Sequence, residues 1–418
     1  MTRKVKLEDL YKDKRTLEVQ AGRFKSLLSS FSDIFRPAEA AFFSSPGRIE
    51  LGGNHTDHNN GCILASAIDI DTIAIAARND LNIINLVSRN LDQTYSVNLA
   101  ETQPKAEERG TASGLIRGIA ARFLQKGHQI GGFDCILESN IGIGSGLSSS
   151  ASVEVLAGMI LNDFYNSSFI PPVEIAKYGQ YSENNYFGKP CGLMDQLAIS
   201  TGGIIFVDFM DKDNPKVEKL DFNFSDYGFE AVIVNTGSTH ADLTDDYASV
   251  PHEMKAVARY FGKEFCRFIK RKDIVNNMAE LRKTLGDRAV LRALHFLEEN
   301  ERVKREAEAL KKGDPDGFFL LAGQSGNSSS KWLQNVYSSK DVRQQGLSIA
   351  LELTEHYLRD NSSRGACRVH GGGFAGTILT FLESSLLSGY LELMNKIFGQ
   401  DSALKVRVRA FGACGVLV

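Results

Sequence analysis

Three stretches of this 418-residue chain hold residue types that could do chemistry together. The first is Gly142-Ile143-Gly144-Ser145-Gly146-Leu147-Ser148-Ser149-Ser150-Ala151-Ser152, followed by an apolar run through Val153, Val155, Leu156, Met159 and Ile160. Glycines let backbone N–H groups come close to a phosphate, and the serines stand where a helix would begin. The free N–H groups and positive dipole end of a helix start favour a polyanion. A serine hydroxyl there can also serve as a magnesium ligand. The P-loop pattern GxxxxGK[ST] is absent, so a nucleotide would be gripped in another way. A flexible Gly/Ser turn with a serine cap is the plainer alternative. The hydroxyl run leading directly into an apolar helix favours phosphate.

The second stretch is Pro46-Gly47-Arg48-Ile49-Glu50-Leu51-Gly52-Gly53-Asn54-His55-Thr56-Asp57-His58. It gathers an Arg, a Glu, an Asn, two His and an Asp, the convergent polar groups that orient sugar hydroxyls. A metal site at His55, Asp57 and His58, or a solvated loop, is the alternative. The third is Glu183 with Cys191-Gly192-Leu193-Met194-Asp195-Gln196. An acid flanked by Met and Leu suggests a carboxylate in a partly apolar pocket, suited to be a general base or an electrostatic partner. A capping or solvated Asp is the bland reading.

The elements that position these stretches are mixed. Residues 7–35 carry a helical pattern polar enough for a surface arm, with Leu17, Phe24, Leu27, Leu28 and Phe31 among its apolar positions. Ser44-Ser45-Pro46-Gly47 reads as a breaker, with a short strand starting at Ile49. Strand texture covers 63–76 and 83–97, a helix 111–127, and a strand 133–137 runs into the glycine–serine stretch. A helix follows over 172–187, then short strands over 202–209 and 231–235. Helices near 251–312, 315–325 and 341–359 precede a second glycine loop with its strand over 369–382. The chain ends in a helix near 385–398 and strand-like 404–411. Strands and helices do not alternate regularly enough for a doubly wound sheet. Charged and turn residues mark a weak boundary at 211–227.

Composition narrows the class. At 43% apolar and 24% charged, the chain is ordinary globular protein, long enough for two or three domains. A net charge of −3 lacks the basic footprint of a nucleic-acid binder. The six cysteines are far apart with no CxxC pair, which argues against a zinc or redox site and for a reducing compartment. The first fifteen residues lack a signal-peptide core, and no apolar run reaches the length of a membrane span. A cytoplasmic protein with no membrane or nucleic-acid partner is expected.

Together the clusters resemble one family. PGRIELGGNHTDH is similar to the galactokinase signature PGRVNLIGEHTDY, and GIGSGLSSSAS to the nucleotide motif PxGxGLSSSAS of the GHMP kinases. CGLMDQ is similar to CGIMDQ, and VHGGGFAGTILTFL to the third motif, GGGFGG followed by a strand. Order and spacing agree from about residue 44 to the C-terminus. The resemblance implies an α+β, two-domain GHMP kinase fold. The N-terminal domain (1–218) would carry a left-handed βαβ unit, an exception to the usual crossover rule. The C-terminal domain (219–418) would be ferredoxin-like, with the active site between them. It implies an ATP- and Mg2+-dependent kinase, taken as a monomer, that phosphorylates the C1 hydroxyl of galactose. Asp195 would be the base and Arg48 would stabilise charge between the C1 oxygen and the γ-phosphate. Gly144, Ser145, Gly146, Leu147, Ser148, Ser149 and Ser150 would wrap the phosphates, and Ser150 and Glu183 would bind Mg2+. Asn54, His55, Thr56, Asp57 and Tyr247 would contact the sugar, with residues 371–373 flanking the site.

The pattern also departs from the family. Glu50 stands where the family has Asn, and Asn54 where it has a Glu that accepts from the sugar 6-hydroxyl. His58 replaces a Tyr and Gly142 a Pro. A family His near 326–328 is missing, and no Trp lies near Ser113. Glu50, two residues from Arg48 on one side of a strand, is expected to pair with it. Galactose, or a sugar differing at C6 such as galacturonate or L-arabinose, follows as substrate. A silent sugar and ATP sensor is a second class, disfavoured by the intact LSSSAS and Asp195. A mevalonate or homoserine kinase is a third, disfavoured by HTDH.

Overall fold

The computed structural model describes residues 4–36, 39–142, 146–237 and 243–418. Its strands are β1 (Val5–Lys6), β2 (Ala41–Gly52), β3 (Cys62–Arg78), β4 (Ile83–Ser88), β5 (Gln93–Asn98), β6 (Phe133–Ser139), β7 (Ile204–Asp208), β8 (Lys216–Leu220), β9 (Phe229–Asn235), β10 (Gly365–His370), β11 (Thr377–Glu383), β12 (Ala403–Val406) and β13 (Cys414–Leu417). The first sheet runs β1-β13-β2-β3-β6-β4-β5, with β7 on β3 and β8 on β7. The second runs β10-β11-β9-β12 and is antiparallel throughout. Helices lie between β9 and β10 and between β11 and β12. This is the expected ferredoxin-like order.

Helices cover both faces of the first sheet. On one side Ile116, Ile119 and Phe123 of the helix Ala112–Gln125 pack with Val155, Leu156 and Ile160 of the helix Ser149–Tyr165 against Phe43, Ala74 and Phe133. On the other, the helix Lys14–Phe35 buries Phe24, Leu27 and Phe31 completely, in one cluster with Ile73, Ile75 and Ile136. The expected surface arm is therefore a core layer. Its apolar residues are few but fall on one stripe, and that stripe alone decides burial.

One further expectation changes. Ser44-Ser45-Pro46-Gly47 does not break the chain, because it lies inside β2. The β2–β3 register shifts between Pro46 and Arg48, where the ladder is already interrupted and a proline costs no hydrogen bond. The segment 211–227, where the sequence marks a weak boundary, contains β8 paired with β7. The C-terminal β13 returns to the first sheet, between β1 and β2.

Asp71 on β3 fastens these returns. It is fully buried and accepts hydrogen bonds from Tyr11 and Ser44. It also accepts from Arg23 Nη1 at 3.0 Å and Arg409 Nη1 at 3.1 Å. One carboxylate thus holds the N-terminal helix, β2 and the C-terminal segment. Removing it would leave Arg409, itself 2% exposed, without its buried counter-charge. Asp71→Ala is expected to cost about 3–5 kcal/mol of stability, measured by urea unfolding.

Candidate active site

Beyond the register shift, Arg48 leaves β2 pointing at the helix Met194–Thr201. Its Nε donates to Asp195 Oδ1 at 2.7 Å and its Nη2 to Oδ2 at 2.8 Å, a bidentate pair. Its Nη1 donates to the Gly146 carbonyl, and its backbone N–H to the Leu147 carbonyl at 3.2 Å. Ser148, at φ +65°, is the N-cap of the helix Ser149–Tyr165. Its hydroxyl donates to Asp195 Oδ2 instead of accepting from the helix, so among the described residues no side chain caps that helix. A helix start of this kind suits an anion. Burial pushes the Asp195 pKa up, but the charge of Arg48 and the hydrogen bonds from Arg48 and Ser148 outweigh it. The net shift is downward, so Asp195 is a carboxylate at neutral pH. Of the expected phosphate loop, Gly146, Leu147 and Ser148 touch this pair, Ser149 and Ser150 open the helix that follows, and Gly144 and Ser145 lie outside the described residues.

Ser150 and Glu183 come together as expected, with Ser150 Oγ 3.4 Å from Glu183 Oε1. Glu183 opens a short π-helical turn, Glu183–Phe187, and is 3% exposed. Gln196 Nε2 donates to Glu183 Oε2 at 2.9 Å and to Glu154 Oε2 at 3.0 Å, which leaves Glu183 Oε1 facing Ser150. A hydroxyl and a carboxylate oxygen are hard donors, a set that fits Mg2+ completed by phosphate oxygens and water. Among the described residues no group of three or more His, Cys, Asp or Glu is arranged to hold a metal ion. The alternative of a metal at His55, Asp57 and His58 is thereby set aside. Glu154 and Gln196 were missed as site residues in the sequence. Glu154 lies four residues after Ser150, one helical turn on the same face, and that spacing was the available signal. Burial and then the Glu183 charge raise the Glu154 pKa well above the ordinary value.

The sugar loop divides into residues that face the site and residues that do not. Asp57 lies over Gly192, where a Cβ would collide with its carboxylate, and it shares the acidic field of Asp195. His55 Nε2 meets the Gly372 carbonyl at 2.8 Å, and a carbonyl only accepts, so Nε2 carries the proton. His55 Nδ1 then accepts from His58 Nε2 at 3.1 Å. Burial lowers their pKa values to about 3 and about 4, so both rings are neutral at pH 7. Tyr247 donates to the Gly373 carbonyl at 2.8 Å, and its ring fills the space that a Cβ at Gly372 would need.

Asn54 and Thr56 differ from expectation, because both are fully buried. Thr56 Oγ1 lies 2.8 Å from the Gly53 carbonyl and 2.6 Å from that of Cys62. Asn54 Nδ2 donates to Glu50 Oε1 at 3.0 Å and to the Gly371 carbonyl at 2.6 Å. Its Oδ1 accepts from Asn335 Nδ2 at 2.7 Å and Ser329 Oγ at 3.2 Å. These are loop-shaping bonds and not contacts offered to a ligand. Glu50 does not pair with Arg48. Its partner is Arg368 on β10, at 2.7 Å, because Arg48 is already taken by Asp195.

Behind the loop lies a buried charge cluster absent from the sequence reading. Glu299 accepts from the Gly53 and Asn54 N–H groups at 3.2 and 3.3 Å and from Ser325 Oγ at 2.5 Å, and it pairs with Arg302. Glu306, on the same helix Asp287–Lys311, has no hydrogen-bond partner on either oxygen among the described residues. Burial and the neighbouring Glu299 push its pKa up to about 8, and burial takes Glu50 to about 7.

Comparison with known proteins agrees with this geometry. The family model "GHMP kinases N terminal domain" matches residues 114–203, and "Galactokinase galactose-binding signature" matches residues 29–78. The chain is 29% identical to a galactokinase of Clostridium tetani over 89% of its own length and 93% of the relative's. It is also 29% identical to one of Limosilactobacillus reuteri, over 90% and 94%. The structure of Lactococcus lactis galactokinase complexed with galactose superposes with a TM-score of 0.80 at 24% identity, over 94% of this chain and 99% of that one. Both family models fall in the N-terminal half of the chain, and the fold is that of a GHMP kinase. The relatives that the chain resembles from end to end are galactokinases.

The raised acids have a consequence for pH. Glu306 ionises near the ordinary value in the unfolded chain and near 8 in the folded one. Its protonated form is therefore fully stabilising below the unfolded pKa, and that stability is lost as pH rises through 8. Glu306→Gln is expected to flatten the fall of Tm between about pH 5 and pH 8.5 relative to wild type, read by differential scanning fluorimetry across that range.

Proposed function

We propose that this protein transfers the γ-phosphoryl group of MgATP to the C1 hydroxyl of galactose, giving galactose 1-phosphate and ADP. The observation that carries the reading is the bidentate Arg48–Asp195 pair set against the uncapped start of the helix Ser149–Tyr165. Phosphoryl transfer needs placement and charge neutralisation more than covalent help from the protein. The helix start and the residues before it cradle the phosphates. Magnesium, when bound through Ser150 and Glu183, neutralises phosphate charge. The C1 oxygen attacks phosphorus as the bond to the bridging oxygen of ADP breaks.

Asp195 has two jobs in this scheme. It accepts a hydrogen bond from the C1 hydroxyl and so orients it. With its pKa held low, it is a weak base, and it takes the proton only as the O–P bond forms and the hydroxyl turns acidic. Arg48 keeps Asp195 ionised and faces the charge that builds between the two oxygens. Asp57, His55 and Tyr247 are the sugar-side candidates. In this reading residues 1–218 carry the phosphate and sugar loops, and residues 219–418 close the site from the other side through residues 371–373. The enzyme works as a cytoplasmic monomer.

Asn54 favours a second reading of the sugar. With all its polar atoms bound to protein, it offers nothing to a 6-hydroxyl, the role the family gives its Glu at this position. A sugar lacking that hydroxyl then loses little here, so L-arabinose is expected to be turned over beside galactose. Galacturonate, a carboxylate entering an acidic site, is expected to be poor. Initial rates of ADP release with the three sugars decide this, and a preference for galacturonate would sink the charge argument.

Asp195→Ala is expected to lower kcat by about 10²–10⁴-fold with MgATP binding retained. A variant as active as wild type would remove Asp195 from the chemistry. Because the Arg48 charge and its hydrogen bonds hold the Asp195 pKa down, the acid limb set by Asp195 in a kcat–pH profile is expected below the ordinary aspartate range.

A further inference from the structure

Charge around the nucleotide end of the site is unbalanced. Glu154 and Glu183 meet through Gln196, the residue after Asp195, while Ser148 donates to Asp195 and Asp57 lies over Gly192. Arg48 is already held by both oxygens of Asp195 and by the Gly146 carbonyl. Residues 142–152 contain no Lys or Arg. A triphosphate arriving at the helix start thus meets the carboxylates of Asp195 and Glu183. The partial charge of a helix end, about half a unit, does not offset them.

Lys189 lies on the segment joining the turn Glu183–Phe187 to the helix Met194–Thr201. Its Nζ is 3.7 Å from Glu183 Oε1, the same oxygen that Ser150 Oγ approaches. The backbone N–H groups of Gly188 and Lys189 both donate to the Glu183 carbonyl, at 2.9 and 3.1 Å, so the root of the side chain is fixed relative to Glu183. The side chain beyond it is 67% exposed, against 4% for Glu183. Its head can swing while its stem is held. The Lys189 charge also acts on Asp195 and Glu154, lowering the pKa of each.

We propose that Lys189 is a phosphate-binding residue. Its ammonium occupies the Glu183 carboxylate until a divalent cation takes that place, and then moves to an oxygen of the nucleotide's β- or γ-phosphate. The inference rests on the MgATP-dependent reading above. Two cations compete for one carboxylate oxygen, and the incoming phosphates offer the displaced ammonium another anion nearby. A lysine suits this exchange because its charge is compact and its donors rotate freely, so it needs no fixed fork geometry. A binding segment without a cation of its own thereby gains one from a neighbouring loop.

Titration calorimetry on the full-length protein tests this with four probes on wild type, Lys189→Met and Lys189→Arg. The probes are the magnesium complex of the non-hydrolysable imido analogue of ATP, AMP, Mn2+ alone and galactose. Lys189→Met is expected to bind the triphosphate analogue about tenfold more weakly, the size of one lost charge-assisted hydrogen bond. AMP and galactose affinities are expected to stay unchanged. Mn2+ alone is expected to bind as well or better, because its competitor at Glu183 is gone. Lys189→Arg is expected to recover most of the triphosphate affinity. Equal analogue affinity in wild type and Lys189→Met overturns the proposal and leaves the kinase reading standing. Parallel loss of AMP, galactose or Mn2+ binding means a disturbed loop and also overturns it. If wild type binds no analogue, both readings fall.

Discussion

The site depends on one ionic contact between the two sheets. Glu50 is the third-last residue of β2, and Arg368 lies within β10 of the second sheet. Their pair, at 2.7 Å, is almost free of solvent, and Arg368 also donates to the Leu51 carbonyl at 2.8 Å. The Glu50 N–H donates to His370 Nε2 at 3.1 Å, and His370 Nδ1 reaches Thr377 Oγ1 at 3.0 Å on β11. Arg48 lies two residues from Glu50, and the glycine segment 371–373 begins just after His370. Fixing Glu50 to Arg368 therefore sets how far the sugar loop stands from residues 371–373. A buried pair of this kind adds little net stability against an apolar alternative, but losing one partner strands the other. Its effect here is geometric.

The second pair, Arg48 with Asp195, works in a different regime. It is less enclosed, with the Asp195 side chain 30% exposed, and it borders the space where substrates would meet. Arg48 is held on one side by Asp195 and on the other by the Gly146 carbonyl, so the carboxylate and the phosphate loop share one anchor. Ser148 closes the triangle through its bond to Asp195. A serine at a helix start would ordinarily cap it. Diverting that hydroxyl to Asp195 ties this carboxylate to the start of the helix.

Much of the site was legible because its parts are local. The glycine–serine run, the polar loop after Leu51 and the CGLMDQ segment each announce themselves within about a dozen residues. The ordering of four such segments then pointed to one family. What was not legible is what depends on distant pairing. The helix Lys14–Phe35 looks like a surface arm until β3 and β6 supply the face that covers Phe24 and Phe31. Ser44-Ser45-Pro46-Gly47 has the composition of a turn, yet pairing with β3 across a register shift holds it extended. The short strands β8 and β13 are too polar or too glycine-rich to show a period of their own. Glu299 and Glu306 sit on a helix rich in charge, and nothing in that pattern separates the two that turn inward from those that face water.

The Glu50 and Asn54 departures become one feature once their contacts are counted. A primary amide has two donors and a carbonyl with two acceptor sites. Asn54 uses all four: Glu50 and the Gly371 carbonyl receive, Asn335 and Ser329 give. A carboxylate at position 54 would set a second acid against Glu50 and would leave the Gly371 carbonyl without its donor. With Glu at position 50 to meet Arg368, an amide at position 54 is what the packing accepts. The reverse order, Asn at 50 and Glu at 54, would need a different partner for Arg368. The exchange thus reads as a change in how the loop is fastened to the second sheet. Under the proposed function, discrimination between sugars then falls to partly exposed groups such as Asp57 and not to the fully buried amide.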